Sequence, residues 1–359
     1  MKSTNNFSRR EFIKNTAALS ALPVITSCST NPEEKATVPK QSVAIGSGTE
    51  EISVIGMGGG AVFFGLSDAE AQSVLEECVN SGINLYDTGP NYHLTRKDGD
   101  AYIPFNISEE RYGKVLSKHR DKVLISTKTT NRPNANQTAA EQQAVLDAID
   151  TQLDQSLTRL QTTYVDFYSA WNIVGSDDIS FMQSTIWQKL VSLKSSGKVR
   201  YIGLSGMESA TKMKEAIEGL DPKPDFVIIP MTPTGGSLGD GNAKYIEFAS
   251  VTLPVAKQHN VAVFGMKVMK GLVGEADTNG NPITAEELFN YAHSKGVSSA
   301  LIGHTTPAEV KGNADLVKNS LSKRMSSTAM KNFEKRLAHL TVPGELVWTR
   351  RDYHDGAVV

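Results

Sequence analysis

The chain has 359 residues, 39% hydrophobic and 21% charged, which is enough to bury the core of one large domain or two small ones. Its formal net charge of −2 and pI of about 6.4 leave no basic field that would attract nucleic acid or an anionic membrane. The two cysteines, Cys28 and Cys78, exclude a disulfide framework and a four-cysteine metal site, and the seven histidines show no HExxH or related ligand spacing.

Residues 8–14, SRREFIK, place Arg9 and Arg10 before Phe12 and Ile13, and the apolar run TAALSALPVIT follows. That run falls short of the ~20 apolar residues a membrane-spanning helix needs, so residues 1–30 are predicted to be a cleavable export signal of the twin-arginine type, read by that export machinery. The run ends in ITSC, residues 25–28. This resembles the lipobox of bacterial lipoproteins, in which Cys28 would be acylated and give the chain its only membrane contact. The alternative is a chance cysteine after an ordinary signal. Residues 31–40 are polar and carry proline, as a tether does, which puts the start of the folded part near Gln41 and its end near residue 345, before a short tail at 346–359.

From there one alternation repeats. Residues 41–56 predict an opening hairpin around Gly46 and Gly48 that could plug the bottom of a barrel. Short aliphatic or β-branched runs at 53–57, 83–87, 123–128, 164–170, 199–205, 225–230, 261–267 and 299–302 predict eight strands. Between them, period-3.6 stretches at 68–81, 108–119, 140–160, 184–196, 209–219, 244–259 and 284–296 predict helices. Strands alternating with helices imply a parallel sheet. Eight units over about 300 residues suit a closed (β/α)8 TIM barrel, with a doubly wound open sheet as runner-up. The polar stretch 93–107 and the Gly-rich stretch 232–242 are predicted to be loops on the functional face.

In such a barrel, chemistry gathers at the C-terminal strand ends. Asp87 ends the second strand in the parity of Ile83 and Leu85, Lys128 ends the third in the parity of Leu124 and Ser126, and Tyr92 follows the Gly89-Pro90 turn. Singly, these residues read as a turn-forming Asp, a strand-end lysine and a rim aromatic. Together they can work as a proton donor. An ammonium beside a phenol stabilises the phenolate and eases proton release, and a carboxylate fixes the ammonium.

The segments LYDTGPNY, LISTK, YVDFYSAW, VRYIGLSG and IGHTTPAEVKGN resemble, in order and spacing, those of the aldo-keto reductases, over most of residues 50–320. The resemblance implies a (β/α)8 barrel that binds NAD(P)H and reduces carbonyls through an Asp, Tyr, Lys and His tetrad. Asp87, Tyr92 and Lys128 match three of its members. Trp171 stands where the histidine belongs, either as a space-filler or as a platform for substrate, and His93 is a loop residue that could supply an imidazole. Where the family tends to place an Asn, a Gln and a stacking aromatic around the nicotinamide, the chain has Gly206, Ile228 and Gly265, while Ser205 is kept. Gly58, in GMGGG at 56–60, is expected to give close backbone packing under the cofactor or substrate.

At the phosphate end, Gly303 and Thr305 are expected beside the pyrophosphate or ribose phosphate, and Asn313 near the adenine. His304 is expected either on a phosphate or on the surface. Thr306, Pro307 and Glu309 predict a capping box at a helix start whose free N–H groups suit a phosphate. No Lys or Arg lies between Gly303 and Lys311, which points to NAD(H) at least as much as NADP(H). The phosphate end is thus expected to be better kept than the hydride end. Cys78 reads as buried structure. The expected activity is that of an exported, lipid-anchored oxidoreductase acting on a carbonyl or hydroxyl compound, sugars included, with a cofactor retained on export. The alternative is a non-catalytic barrel that binds a glycan or small metabolite.

Overall fold

The computed structural model describes residues 37–98, 101–234, 248–269, 271–319 and 321–341. The predicted signal and lipobox, most of the tether, most of the Gly-rich loop and the C-terminal tail lie outside the described residues.

β1 (Lys40–Ile45) and β2 (Gly48–Ser53) form the predicted hairpin, with Ile45 opposite Gly48. Gly46 holds φ +56° in its turn, a conformation that glycine adopts without penalty. The fold begins slightly earlier than the sequence suggests. Val38, assigned above to the tether, is buried and donates its N–H to Ser81 O at 2.8 Å.

The ring itself consists of β3 (Ile55–Gly58), β4 (Leu85–Asp87), β7 (Leu124–Thr129), β8 (Val165–Trp171), β9 (Val199–Ser205), β10 (Phe226–Pro230), β11 (Ala262–Met266) and β12 (Ser299–Ile302). Each pairs in parallel with its neighbours, and β12 returns to β3, closing an eight-stranded barrel. All eight ring strands coincide with predicted runs to within about two residues. β5 (Leu94–Asp98) and β6 (Ala101–Phe105) are an addition, an antiparallel pair inside the stretch expected to be loop. Arg96, Lys97 and Asp98 are consecutive and exposed, so the pair lacks the period-two alternation that identifies a strand with one buried face.

Alternation along the ring strands divides the core into two layers. Leu85, Leu124, Phe167, Phe226, Phe264 and Leu301 point inward and pack with Val43, Ile45 and Ile52 of the hairpin, which therefore stoppers the N-terminal end. The Phe167 ring meets Phe226 and Phe264 edge-on, with centroids 5.1 Å apart in each pair. The opposite parity faces the helices; Val74, Leu75 and Cys78 of helix Asp68–Asn80 are buried in that outer layer.

Helices start where their caps require. Ser67 with Glu70, Thr138 with Glu141 and Thr284 with Glu287 form reciprocal capping boxes. The helix predicted from residue 184 begins earlier, at Ile179, and passes through a π-helical turn at Gln183–Trp187. Two further helices, Pro307–Val317 and Ser327–Arg336, follow the eighth ring strand. No helix among the described residues is long and apolar enough to cross a membrane.

Candidate active site

The inward parity that carries Leu85 and Leu124 in the stoppered half continues upward to Asp87, Ser126 and Lys128. At the open end, Gly59 N–H donates to Asp87 O at 2.7 Å. A β-carbon on Gly59 would lie 2.3 Å from Ser108 Oγ, so only glycine allows this approach. The chain then turns, Tyr92 N–H donating to Gly89 O at 3.1 Å, and the phenol folds back over the strand ends. A β-carbon on Gly89 would touch the Lys128 stem at 3.4 Å.

Lys128 lies between the other two groups. Its Nζ donates to Asp87 Oδ2 at 3.0 Å and to Tyr92 Oη at 3.1 Å, and it sits 4.6 Å from the Tyr92 ring centroid. Ser126 Oγ donates to Asp87 Oδ1 at 2.8 Å, a contact that strand parity makes legible although its role was not foreseen. Burial works against the charge on Lys128, but the Asp87 carboxylate and the Tyr92 oxygen beside it prevail and hold its pKa above the ordinary lysine value. Lys128 is 1% exposed, Asp87 5% and Tyr92 9%, so the trio meets at the mouth with little water between its members.

Trp171 ends β8 beside Ser205 of β9. One pleat deeper, opposite Lys128, Ser169 keeps a buried hydroxyl with no hydrogen-bond partner. Among the described residues, no imidazole is hydrogen-bonded to Asp87 or Lys128. The Nδ1 of His93 lies 3.2 Å from Leu94 O within its own loop, where the residue is half-buried rather than exposed.

The phosphate end differs from its expectation. Thr306 does cap its helix, accepting Glu309 N–H at 3.2 Å. The Glu309 carboxylate, however, returns to Thr305, accepting its N–H at 2.7 Å and its hydroxyl at 2.9 Å. No capping box closes on Thr306, and a carboxylate engages one of the N–H groups expected to meet phosphate. His304 is neither surface nor cation. It is fully buried, with Nδ1 3.4 Å from Met57 Sδ and Nε2 unpartnered, and burial lowers its pKa to about 4. Gly303 is needed for packing, since a β-carbon there would lie 2.2 Å from Val62 Cγ2. Gly58 has no such constraint, its nearest neighbour being 3.6 Å away; in GMGGG the close approaches belong to Gly56 and Gly59. Asn313 is half-buried on the helix Pro307–Val317, and Lys311 turns to Glu77 at 3.7 Å.

A nicotinamide cofactor therefore fits in part. The unpartnered Ser169 hydroxyl, Ser205 and the trio suit the hydride end, and the open Gly58 leaves backbone room beside it. Among the described residues, no group of three or more His, Cys, Asp or Glu could hold a metal ion.

Known proteins place this geometry. An uncharacterized oxidoreductase of Bacillus subtilis is 28% identical over 229 residues, 64% of this chain and 65% of its own; the chain thus spans just under two thirds of that relative. L-galactose dehydrogenase of Arabidopsis thaliana is 24% identical over 315 residues, 81% of this chain and 92% of its own. The structure of a Bombyx mori aldo-keto reductase in complex with NADP superposes with a TM-score of 0.62 at 16% identity, covering 89% of this chain and 99% of that one; at that identity it shows the fold alone. The profile of the Aldo/keto reductase family matches residues 54–302, from the first ring strand to the last. The chain belongs to the aldo/keto reductase family and is an oxidoreductase of that type.

Proposed function

We propose that the chain is an exported oxidoreductase that moves hydride between a nicotinamide cofactor and the carbonyl or hydroxyl carbon of a sugar. The observation that carries this reading is the Lys128 ammonium held 3.0 Å from Asp87 Oδ2 and 3.1 Å from Tyr92 Oη. A free phenol, with a pKa of about 10, is a weak acid near neutrality. The ammonium stabilises the phenolate, so Tyr92 can give its proton to a carbonyl oxygen, or take one from a hydroxyl in the reverse direction. Asp87 keeps Lys128 charged and in place, and Ser126 orients Asp87. The cofactor, when bound, supplies or accepts the hydride at carbon.

Trp171 suggests the substrate. It offers one indole N–H and a broad apolar face where the family's histidine would offer a compact donor, which suits the apolar face of a pyranose. The name of the Arabidopsis relative, L-galactose dehydrogenase, points the same way. The Glu309 carboxylate at Thr305 favours NAD(H), because a 2′-phosphate there would meet a like charge. Export through the paired arginines Arg9 and Arg10, with acylation of Cys28, would take the protein where free cofactor is scarce. A cofactor carried out already bound is the simplest arrangement.

Mass spectrometry of the purified, untreated protein tests this reading. We expect bound NAD(H) and turnover of an aldose. An empty barrel that binds sugars without turnover would favour the binding-protein reading instead, which the Trp171 substitution keeps open.

A further inference from the structure

After Trp171 the chain crosses the open end of β9. Ile173 N–H donates to Ser205 O at 3.1 Å, and Met207 N–H donates to Asn172 Oδ1 at 3.4 Å. Arg132 clamps this crossing. One arm of its guanidinium donates to the Asn172 carbonyl, and the other pairs with Asp177 at 2.8 Å, whose second oxygen accepts Val174 N–H at 2.8 Å.

The crossing fills the space above Gly206. A β-carbon built there would lie 3.0 Å from Ile173 N, 3.1 Å from Ile173 O and 3.2 Å from Asn172 Oδ1. A side chain at position 206 would therefore press on the present course of residues 172–173, and the side-chain amide of Asn172 lies beside the place it would take. Its oxygen is used by Met207 N–H, while its Nδ2 has no partner among the described residues. Asn172 is half-buried, so this donor is not spent on the fold.

We propose that Asn172 is a cofactor-binding residue whose Nδ2 donates to the carboxamide of the nicotinamide ring, the contact that Gly206 cannot make. The inference rests on the nicotinamide reading above. Hydride transfer needs the donor carbon about 3–3.5 Å from the carbonyl carbon, whose oxygen must reach Tyr92 Oη. A ring so placed in the mouth would need a polar partner for its carboxamide. On the β8–β9 side of the mouth the polar side chains are Ser169, Ser205 and Asn172, while the neighbouring inward position on β10 is the apolar Ile228. Arg132 and Asp177 then act as positioning residues that hold Asn172 in register.

The test compares two ligands that differ only at the ring. Dissociation constants for NADH and for ADP-ribose, which lacks nicotinamide, would be measured by titration on the wild type, Asn172→Asp and Asn172→Ala. The aspartate keeps an acceptor for Met207 N–H and removes the donor, so it probes the contact without releasing the crossing. We expect both variants to weaken NADH about tenfold, the scale of one lost hydrogen bond, and to leave ADP-ribose within about twofold. Unchanged NADH affinity in both variants would overturn the proposal. Equal weakening of both ligands would also overturn it, because Asn172 would then serve only the loop. A wild type that binds neither ligand would remove the nicotinamide reading itself, and this inference with it.

Discussion

At the scale of single residues, the site depends on one phenol and one ammonium. Tyr92→Phe keeps the ring that packs over Lys128 and removes the proton donor, so cofactor affinity should hold while aldose turnover falls. General acid assistance contributes typically about 10²–10⁴-fold; a loss below about fivefold in steady-state kinetics would take Tyr92 out of the mechanism. Trp171→His should raise turnover of small aldehydes and weaken sugar binding, read by parallel kinetics and calorimetry; no gain with aldehydes would mean that the ring lies out of productive reach. Asp87, Tyr92 and Lys128 were legible because strand parity and a Gly-Pro turn are local properties. Asn172 and Arg132 were not. Their roles depend on how residues 171–177 cross β9, and no spacing in the sequence encodes that contact. The sequence shows only a missing side chain at Gly206, whereas the fold brings the Asn172 amide beside it from the segment after β8.

Among the elements, the helix Pro307–Val317 shows how a carboxylate can engage an N–H that the sequence reads as open to phosphate. Its sequence reads as a phosphate-binding start, and Thr306 does cap it, yet Glu309 bends back to Thr305. The expectation that the phosphate end is the better kept therefore weakens, since a capping-box pattern does not reveal which N–H its carboxylate will choose. Glu309→Gln removes the charge and keeps the size, so NADPH should gain about tenfold in affinity relative to NADH, about 1.4 kcal/mol. An unchanged ratio in paired titrations would place the selectivity elsewhere. The ring strands were legible from their continuous apolar runs, which both-face burial demands. β5 and β6 were not, because the consecutive exposed charges of β5 break the alternation of the pair. The β4–β7 pair also bears on stability: Lys128→Met would leave the Asp87 carboxylate buried without its cation, a loss of about 3–5 kcal/mol. Chemical denaturation would measure it, and a cost below about 1 kcal/mol would mean that Ser126 alone suffices for Asp87.

Across the whole molecule, buried imidazoles set an acid limit. Burial lowers His304 from 6.5 to about 4 and lowers His293 as well, opposed by its bond to Val54 O. Between these values the unfolded chain binds more protons than the folded one, so stability is intact above pH 6.5 and declines as pH falls toward 4. The His304 contribution is about 3 kcal/mol. His304→Leu should flatten the melting temperature over that window; a slope equal to the wild type's would assign the acid loss to other groups. For the export reading, Cys28→Ala should move the protein from the membrane to the soluble exported fraction, and unchanged fractionation would remove the lipid anchor. Whether this barrel transfers hydride at the Tyr92 site can be read from isotope transfer. Protein loaded with NADH dideuterated at C4 would be mixed with an aldose and the product analysed by mass spectrometry. We expect one deuterium at the former carbonyl carbon, with the rate cut at least about 10²-fold in Tyr92→Phe. Bound NADH and bound sugar with no deuterium in any product would contradict it.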